Sequence, residues 1–207
     1  MAQAALPAVE RVETRILDLA AAHIRAHGAR RMTIVGVAAA AHMSHANVYR
    51  YFASKAALTD AVTGQWLAPV EASLRSTAEG PDPAADKLER LLGTIYRAYR
   101  DKLERDETLF RLFAAAVEAG RPIARRHRGR LQSEIQRAID QGMSGGEFLM
   151  RDQRRAITLV FDAMHRFTHP AAILLDRDAP RGSLDQRFEA MAQLALRALR
   201  GGASHKR

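Results

Sequence analysis

The chain has 207 residues, with 32 Lys or Arg against 23 Asp or Glu and a formal net charge of +9. It contains no cysteine, which excludes a disulfide framework, a thiolate nucleophile and a cysteine-based zinc site. The sequence has no uninterrupted apolar run of about 18 residues and no secretory signal pattern, so we expect no membrane span and a cytoplasmic location.

The apolar spacing predicts helices along nearly the whole chain and strands nowhere. The first helix has apolar residues three and four positions apart from Val12 to Ile24 and is expected to end at Gly28. The next three helices are short or interrupted, with N-caps predicted at Thr33, Ser44 and Ser54.

Proline and glycine mark the later boundaries. Gly64 and Pro69 are predicted to bend or end the fourth helix, and the GPDP sequence at 80–83 is the clearest break. Further helices are predicted at 84–105, 107–119, 122–141, 153–175 and 184–199. We therefore predict an all-α fold of about nine helices, with a three-helix head and a helical body.

Residues 33–50 combine a capped helix, a tight turn and a second capped helix, which predicts a helix-turn-helix. The second helix of that motif presents its N-terminal residues to base edges, and donors on both flanks bind phosphates. The candidates for the base-contacting face are Ser44, His45, Ala46 and Asn47. The candidates for the phosphate contacts are Thr33, Tyr49 and Lys55. Tyr51 fits either DNA contact or packing, whereas Phe52 is expected to pack in the head.

The segment 16–62 resembles the N-terminal DNA-binding domain of the TetR-type transcriptional regulators, most specifically in the run VYRYFASKAAL from Val48 to Leu58. The resemblance implies a DNA-binding domain at 9–55 and an effector-binding and dimerisation domain at 56–200. It also implies that the last two helices form a four-helix bundle with a partner subunit. His42 stands where the family usually has a turn Gly, and Ala46-Asn47 replaces its common Gly-Thr pair. The operator therefore does not follow from the resemblance.

The body offers candidates for an effector pocket and for a dimer seam. The pocket candidates combine apolar bulk with a few polar tips, although aromatic residues at helical spacing are more often plain core; they are Tyr96, Tyr99, Phe110, Phe113, Phe161, Met164 and His165. The seam candidates form apolar stripes on the last two predicted helices, which also fit a core; they are Ile157, Ala171, Leu175, Leu184, Phe188, Met191, Ala195 and Leu199.

Metal binding and catalysis have little support in the sequence. His165 and His169 share a helix face and could chelate zinc, but no HExxH carboxylate accompanies them and Pro170 follows directly. No phosphate-binding Gly loop, G-x-S-x-G or Cys nucleophile is present. The basic run at 121–130 could attract an anionic effector or DNA, or could be a solvated helix start. We expect no metal, no other cofactor and no enzymatic activity.

The resulting hypothesis is a homodimeric repressor that binds a palindromic double-stranded operator and is released by a small-molecule effector. The basic balance agrees with a nucleic-acid partner but is weak support, since Ala- and Arg-rich compositions also reflect genomic base bias. One alternative is a ligandless DNA-binding protein of the same fold that acts in chromosome organisation, with a solidly packed body. Another is a helical enzyme carrying the same head, for which the sequence shows no catalytic apparatus.

Overall fold

Residues 8–201, the part of the chain that this computed structural model describes, form ten α-helices and no strand. The helices are α1 (Ala8–His27), α2 (Ile34–Ala40), α3 (His45–Tyr51), α4 (Lys55–Glu79), α5 (Ala84–Arg105), α6 (Glu107–Glu118), α7 (Pro122–Ser144), α8 (Gln153–Thr168), α9 (Pro170–Leu175) and α10 (Arg181–Gly201). The all-α prediction is confirmed.

The tenth helix arises because the single helix predicted at 153–175 is divided. His169 has extended backbone angles, φ −91 and ψ 122, and it closes α8 and opens α9. Pro170 disfavours the helical conformation of the residue before it and cannot donate a backbone hydrogen bond, but it fits the first turn of a new helix.

The three N-caps predicted from the sequence are present in the structure. Thr33 accepts a hydrogen bond from the Gly36 backbone N–H at 3.0 Å, and Ser44 accepts one from the Asn47 N–H at 3.2 Å. Ser54 likewise accepts from the N–H of residue 57 at 3.0 Å. Each hydroxyl satisfies one of the N–H groups that have no partner within their own helix.

Two predicted helix ends are placed differently by the structure. The fourth helix continues through Gly64 and Pro69 to Glu79, because buried Leu67 and Val70 hold it on both sides of the proline. The break expected from Gly142 onward comes later, since α7 runs to Ser144. A Cβ on Gly142 would lie 2.3 Å from the Phe148 ring, so close packing explains this glycine.

The helices fall into two compact units. The first unit contains residues up to 67 together with 106–124, and the second contains 68–105 and the residues from 125 onward. The first unit therefore includes α6 as well as the three head helices and the start of α4. The predicted boundary between the DNA-binding domain (9–55) and the effector-binding domain (56–200) stays a prediction. It does not coincide with the boundaries of the two compact units.

The core of the first unit is apolar and joins α1, α2, α3, the start of α4 and α6. Ile16, Ile24, Met32, Val48 and Leu58 are all completely buried there. In α2, Gly36 lies so close to α1 that an added Cβ would be 3.1 Å from the His23 ring. Absence of a side chain at this position lets the two helices approach closely.

The second unit packs α10 against α8 and α5, and α5 also contacts α8 and α9. Its buried side chains include Leu88, Leu91, Val160, Met164 and Leu199. The start of α5 is capped from a distant part of the unit: the Glu147 carboxylate accepts hydrogen bonds from the N–H groups of residues 84 and 85 at 2.9 and 3.0 Å. These two backbone donors lower the pKa of Glu147 below its ordinary value.

Candidate nucleic-acid interface and body cavity

The turn between α2 and α3 is made without glycine. His42 has φ 56, a left-handed conformation, at the position where the TetR-type resemblance has a turn Gly. On the next helix, Val48 is fully buried and Phe52, its C-cap residue, is 5 % exposed. These two apolar side chains fix α3 to the core and leave its opposite face open, and the expectation for Phe52 is confirmed.

The residues at the start of α3 differ in how accessible they are. His45 and Ala46 are exposed, and Asn47 is half-buried. Ser44 is exposed but its hydroxyl is engaged as the N-cap of the helix. The structure therefore places a small, polar surface at the N-terminal end of α3, as a helix entering the major groove requires.

Tyr49 and Tyr51 differ in exposure, which bears on whether each contacts DNA or packs in the core. Tyr49 is 48 % exposed, which leaves its hydroxyl accessible to a phosphate. Tyr51 is half-buried and packs against the core of the first unit. Packing is thus the better supported of the two alternatives for Tyr51.

Thr33 and Lys55 flank the motif and already make intramolecular hydrogen bonds. Thr33 caps α2, and the Lys55 ammonium donates to the Arg30 backbone carbonyl at 2.8 Å. An ammonium has three N–H groups, so this bond leaves Lys55 able to bind a phosphate as well. The bond also holds the lysine near the segment that joins α1 to α2.

Three arginines that the sequence prediction did not include are exposed in or beside the same segment. Arg30 and Arg31 precede the cap residue of α2, and Arg50 lies next to Tyr49 on α3. The sequence pattern that could have identified them is the presence of cations within or just before residues 33–50, the stretch that forms the helix-turn-helix. They are added to the candidates for phosphate contact.

The seven residues predicted for an effector pocket do not form one group. Phe110 and Phe113 belong to the first unit, where they pack edge to face with a centroid distance of 6.2 Å. Trp66 lies 6.2 and 6.4 Å from the same two rings. The other five, which belong to the second unit, are Tyr96, Tyr99, Phe161, Met164 and His165.

Tyr96 lines a cavity of about 470 Å³ in the second unit, between α5 and α10. Its ring stacks on Phe188 at 4.5 Å, and its hydroxyl donates to the Asp185 carboxylate at 2.7 Å. Burial and this carboxylate raise the pKa of Tyr96, so the hydroxyl stays protonated. The two aromatic rings are surrounded by charged residues of both signs: Asp86, Glu89, Arg90, Arg97, Asp185 and Glu189.

Tyr99 belongs instead to a buried hydrogen-bond chain. Its hydroxyl lies 2.7 Å from His127 Nε2, and His127 Nδ1 lies 2.7 Å from Glu71 Oε1. The other oxygen of Glu71 accepts from Arg130. Burial opposes the charge of Glu71, but the bonds from His127 and Arg130 outweigh it and lower its pKa. This chain joins α4, α5 and α7, and sequence reasoning missed all of it except Tyr99.

The remaining pocket candidates lie on α8. Met164 is buried, Phe161 is half-buried and His165 is exposed, with its ring stacked on that of His169 at 4.6 Å. Burial lowers the pKa of His169, and the neighbouring His165 acts in the same direction. Among residues 8–201, no group of three or more His, Cys, Asp or Glu side chains could hold a metal ion.

Half of the predicted seam residues are covered by the chain itself. Leu184, Phe188, Ala195 and Leu199 are at most 6 % exposed, because they pack α10 onto α5 and α8. They offer little surface to a partner, so packing within the chain supports the core alternative for these four residues, and their place in a seam stays a prediction. The accessible members of the set are Ile157, Ala171, Leu175 and Met191. Leu194, which was not predicted, is 51 % exposed on α10.

None of the helices within 8–201 combines the length and the apolar character that crossing a membrane requires.

Comparisons with known families match both parts of the chain. Residues 16–62 match the model described as bacterial regulatory proteins, tetR family. Residues 84–192, more than half of the chain, match the model described as tetracyclin repressor-like, C-terminal domain. No curated protein matches the sequence significantly.

Solved structures share the fold at low sequence identity. SmeT, the repressor of the multidrug efflux pump SmeDEF of Stenotrophomonas maltophilia, has 18 % identity and a TM-score of 0.67 over 90 % of this chain and 89 % of its own. FadR from Bacillus subtilis, in complex with stearoyl-CoA, has 16 % identity and a TM-score of 0.65 over 91 % and 98 %. A TetR/AcrR family regulator from Thermobifida fusca has 21 % identity and a TM-score of 0.64 over 96 % and 100 %.

Proposed function

The chain belongs to the TetR family of bacterial transcriptional regulators, and from that membership we propose that it represses transcription by binding a palindromic operator as a homodimer. A small-molecule effector that binds the second unit releases it. In this role the chain has no catalytic step, requires no cofactor and acts in the cytoplasm.

The observation that carries the DNA-binding part is the asymmetry of α3. Val48 and Phe52 hold one side of the helix in the core, whereas His45, Ala46 and Tyr49 are exposed. Small side chains at the start of the helix allow the backbone to approach the bases. Asn47 can form a bidentate pair with an adenine edge in the major groove.

The effector part is supported by the cavity beside Tyr96. This cavity of about 470 Å³ is open to solvent and lined mainly by charged side chains, so it offers polar recognition of a small molecule beside the buried Tyr96 and Phe188 rings. The ligandless alternative predicts a solidly packed body and has no use for such a space. Stearoyl-CoA bound to the structurally similar FadR is an example of such a ligand on the same fold.

The homodimer is proposed to form through the outward faces of α8 and α10. One helix-turn-helix buries little surface on DNA, and two heads on a palindrome supply the affinity of a specific complex. Ile157 on α8, with Met191 and Leu194 on α10, provides the accessible apolar side chains for this contact.

The test is a footprint on the DNA upstream of the protein's own gene, followed by titrations on that site at several salt concentrations. Lys55→Ala should weaken binding to all sequences alike and reduce the salt slope by about one per subunit, because one phosphate contact is lost. Arg75→Ala is the matched control, since it removes an exposed cation on α4 within the second unit.

Absence of any protected sequence would contradict operator binding. Equal salt slopes for wild type and Lys55→Ala would show that Lys55 does not contact a phosphate. If Arg75→Ala loses as much DNA affinity as Lys55→Ala, the loss is explained by the change in net charge alone.

A further inference from the structure

A second cavity, which is shallow and broadly open to solvent, lies entirely within the first unit, next to the proposed DNA-binding residues. Its volume is about 480 Å³. The segment after α1, the N-terminal half of α4, and α6 form its walls. A concave space of this size is within the range of small-molecule sites.

The cavity has an apolar wall made by small side chains. Leu112 and Ala116 of α6 face Ala29 and Ala56 from the other elements, and Ala115 completes the wall. These residues are mostly alanines, whose side chains end at Cβ, so α4 and α6 leave room between them. An apolar ligand would replace water along this wall and gain hydrophobic free energy in proportion to the area covered.

The rim of the cavity carries an excess of positive charge. The carboxylate of Asp60 is engaged by Arg121, whose Nε and NH2 donate to its two oxygens at 3.0 and 2.9 Å. Within residues 8–201, neither Lys55 nor Arg30 has a carboxylate partner, and the Lys55 ammonium bonds only to a backbone carbonyl at 2.8 Å. Two cations at the rim are therefore available to an anion.

The start of α4 adds to this positive field. Ser54 caps the helix by accepting from the N–H of residue 57, whereas Lys55 and Ala56 stand at the first two helical positions, where N–H groups have no intrahelical acceptor. The helix dipole places partial positive charge at this end of a 25-residue helix.

We propose that this cavity binds a small amphipathic anion, with its acid group on Lys55 and Arg30 and its apolar part against Leu112 and the alanines of α4 and α6. The site is separate from the cavity beside Tyr96, which belongs to the second unit. Its consequence for DNA rests on the proposed function. An acid group bound to Lys55 competes with a DNA phosphate for the same ammonium, so occupancy weakens operator binding directly.

Binding is tested first without DNA, by calorimetry of the full-length protein with decanoate and with decylamine. Decanoate should bind at one molecule per chain, and decylamine, which has the same tail and the opposite charge, should bind at least about tenfold more weakly. Ala115→Phe should abolish decanoate binding by filling the cavity from an exposed position of α6. Ala72→Phe, an equally exposed change on α4 outside the cavity, should bind like wild type.

Lys55→Gln supplies a second variant that keeps the cavity open, and it should lose about tenfold in decanoate affinity because a charged hydrogen bond is removed. Circular dichroism establishes that each variant is folded. Binding that is equal for decanoate and decylamine, or unchanged in both Ala115→Phe and Lys55→Gln, would overturn the site.

Competition with DNA is then measured by a gel shift on the footprinted operator. Decanoate should weaken the wild-type complex and leave the Ala115→Phe complex unchanged. If decanoate binds in the cavity and the operator complex is unaffected, the competition through Lys55 is wrong. If wild type fails to bind any operator, the proposed function is wrong, and the calorimetry still decides whether the cavity binds anions.

Discussion

The two compact units use their polar residues in opposite ways. In the first unit the polar residues of the helix-turn-helix are mostly at the surface, and the core beneath them is apolar. In the second unit several polar side chains are buried and paired with each other, as in the chain from Tyr99 through His127 to Glu71. The difference agrees with the proposed function, in which the first unit presents its polar groups to DNA, whereas the second unit uses several of its polar groups to fix its own helices.

The same contrast occurs within α10. Phe188 is 6 % exposed and stacks on Tyr96 at 4.5 Å, while Leu194, less than two turns further along, is 51 % exposed. One apolar residue belongs to the interior of the unit and the other is available to a second subunit. Substitutions at these two positions should therefore have different consequences.

The largest effect is expected for Leu194→Glu. A carboxylate in a paired apolar seam would be desolvated in both symmetric copies, at a cost of several kcal/mol, which corresponds to an operator affinity lower by more than about 100-fold. Sedimentation should show a folded monomer, and a gel shift should show the loss of binding. A variant that remains dimeric would place the seam elsewhere, and a monomer that still binds the full operator tightly would contradict the need for a dimer.

Phe188→Ala should reduce the free energy of unfolding by about 3–5 kcal/mol, because it removes a buried ring packed between Tyr96 and Phe167. Denaturant unfolding measures the change. Leu149→Ala is the matched control: Leu149 is 62 % exposed, and its truncation should change stability by less than about 0.5 kcal/mol. Equal losses in the two variants would mean that Phe188 is not part of the core.

Glu71→Gln should cost about 1.5–3 kcal/mol at neutral pH, because Glu71 accepts charged hydrogen bonds from α7. The pKa of Glu71 is lowered in the folded state, so its contribution is present above its ordinary value of 4.5 and is lost as the pH falls through the lower folded pKa. Wild type should therefore lose stability over that acidic range, and the variant should lose less.

Urea unfolding at several pH values measures this difference. The gap between wild type and Glu71→Gln should narrow as the pH decreases below about 4.5. A gap that is constant with pH would show that the carboxylate charge of Glu71 does not stabilise the second unit.

The smallest effect, and the most specific, is expected for Asn47→Ala. Loss of a bidentate contact should relax preference at one operator position by about 1–3 kcal/mol and leave binding to random DNA unchanged. Titrations on operators substituted at single positions measure it. A uniform loss on specific and random DNA would assign Asn47 to general affinity rather than to base recognition.

The sequence was most informative where the deciding interaction is local. A hydroxyl cap acts on a backbone N–H three residues away, so Thr33, Ser44 and Ser54 could be placed from the sequence and are confirmed. The cap of α5 comes from Glu147, more than 60 residues away, and no local pattern indicates it. Pro69 shows the reverse case: proline locally disfavours a helix, but α4 continues through it because the neighbouring residues Leu67 and Val70 are buried.

Sequence alone determined the all-α class, most of the helix ends and the helix-turn-helix, because each follows from residues within a few positions of one another. Tertiary structure decided which face of each helix is buried. An apolar stripe on α10 fits a core and a seam equally well until its neighbours are known, and packing against α5 and α8 assigns Phe188 to the core. Tyr96 meets Asp185, and the residues around Lys55 come together, only because helices distant in sequence pack against each other. The apolar periodicity of one helix contains no information about which side chains a neighbouring helix places beside it.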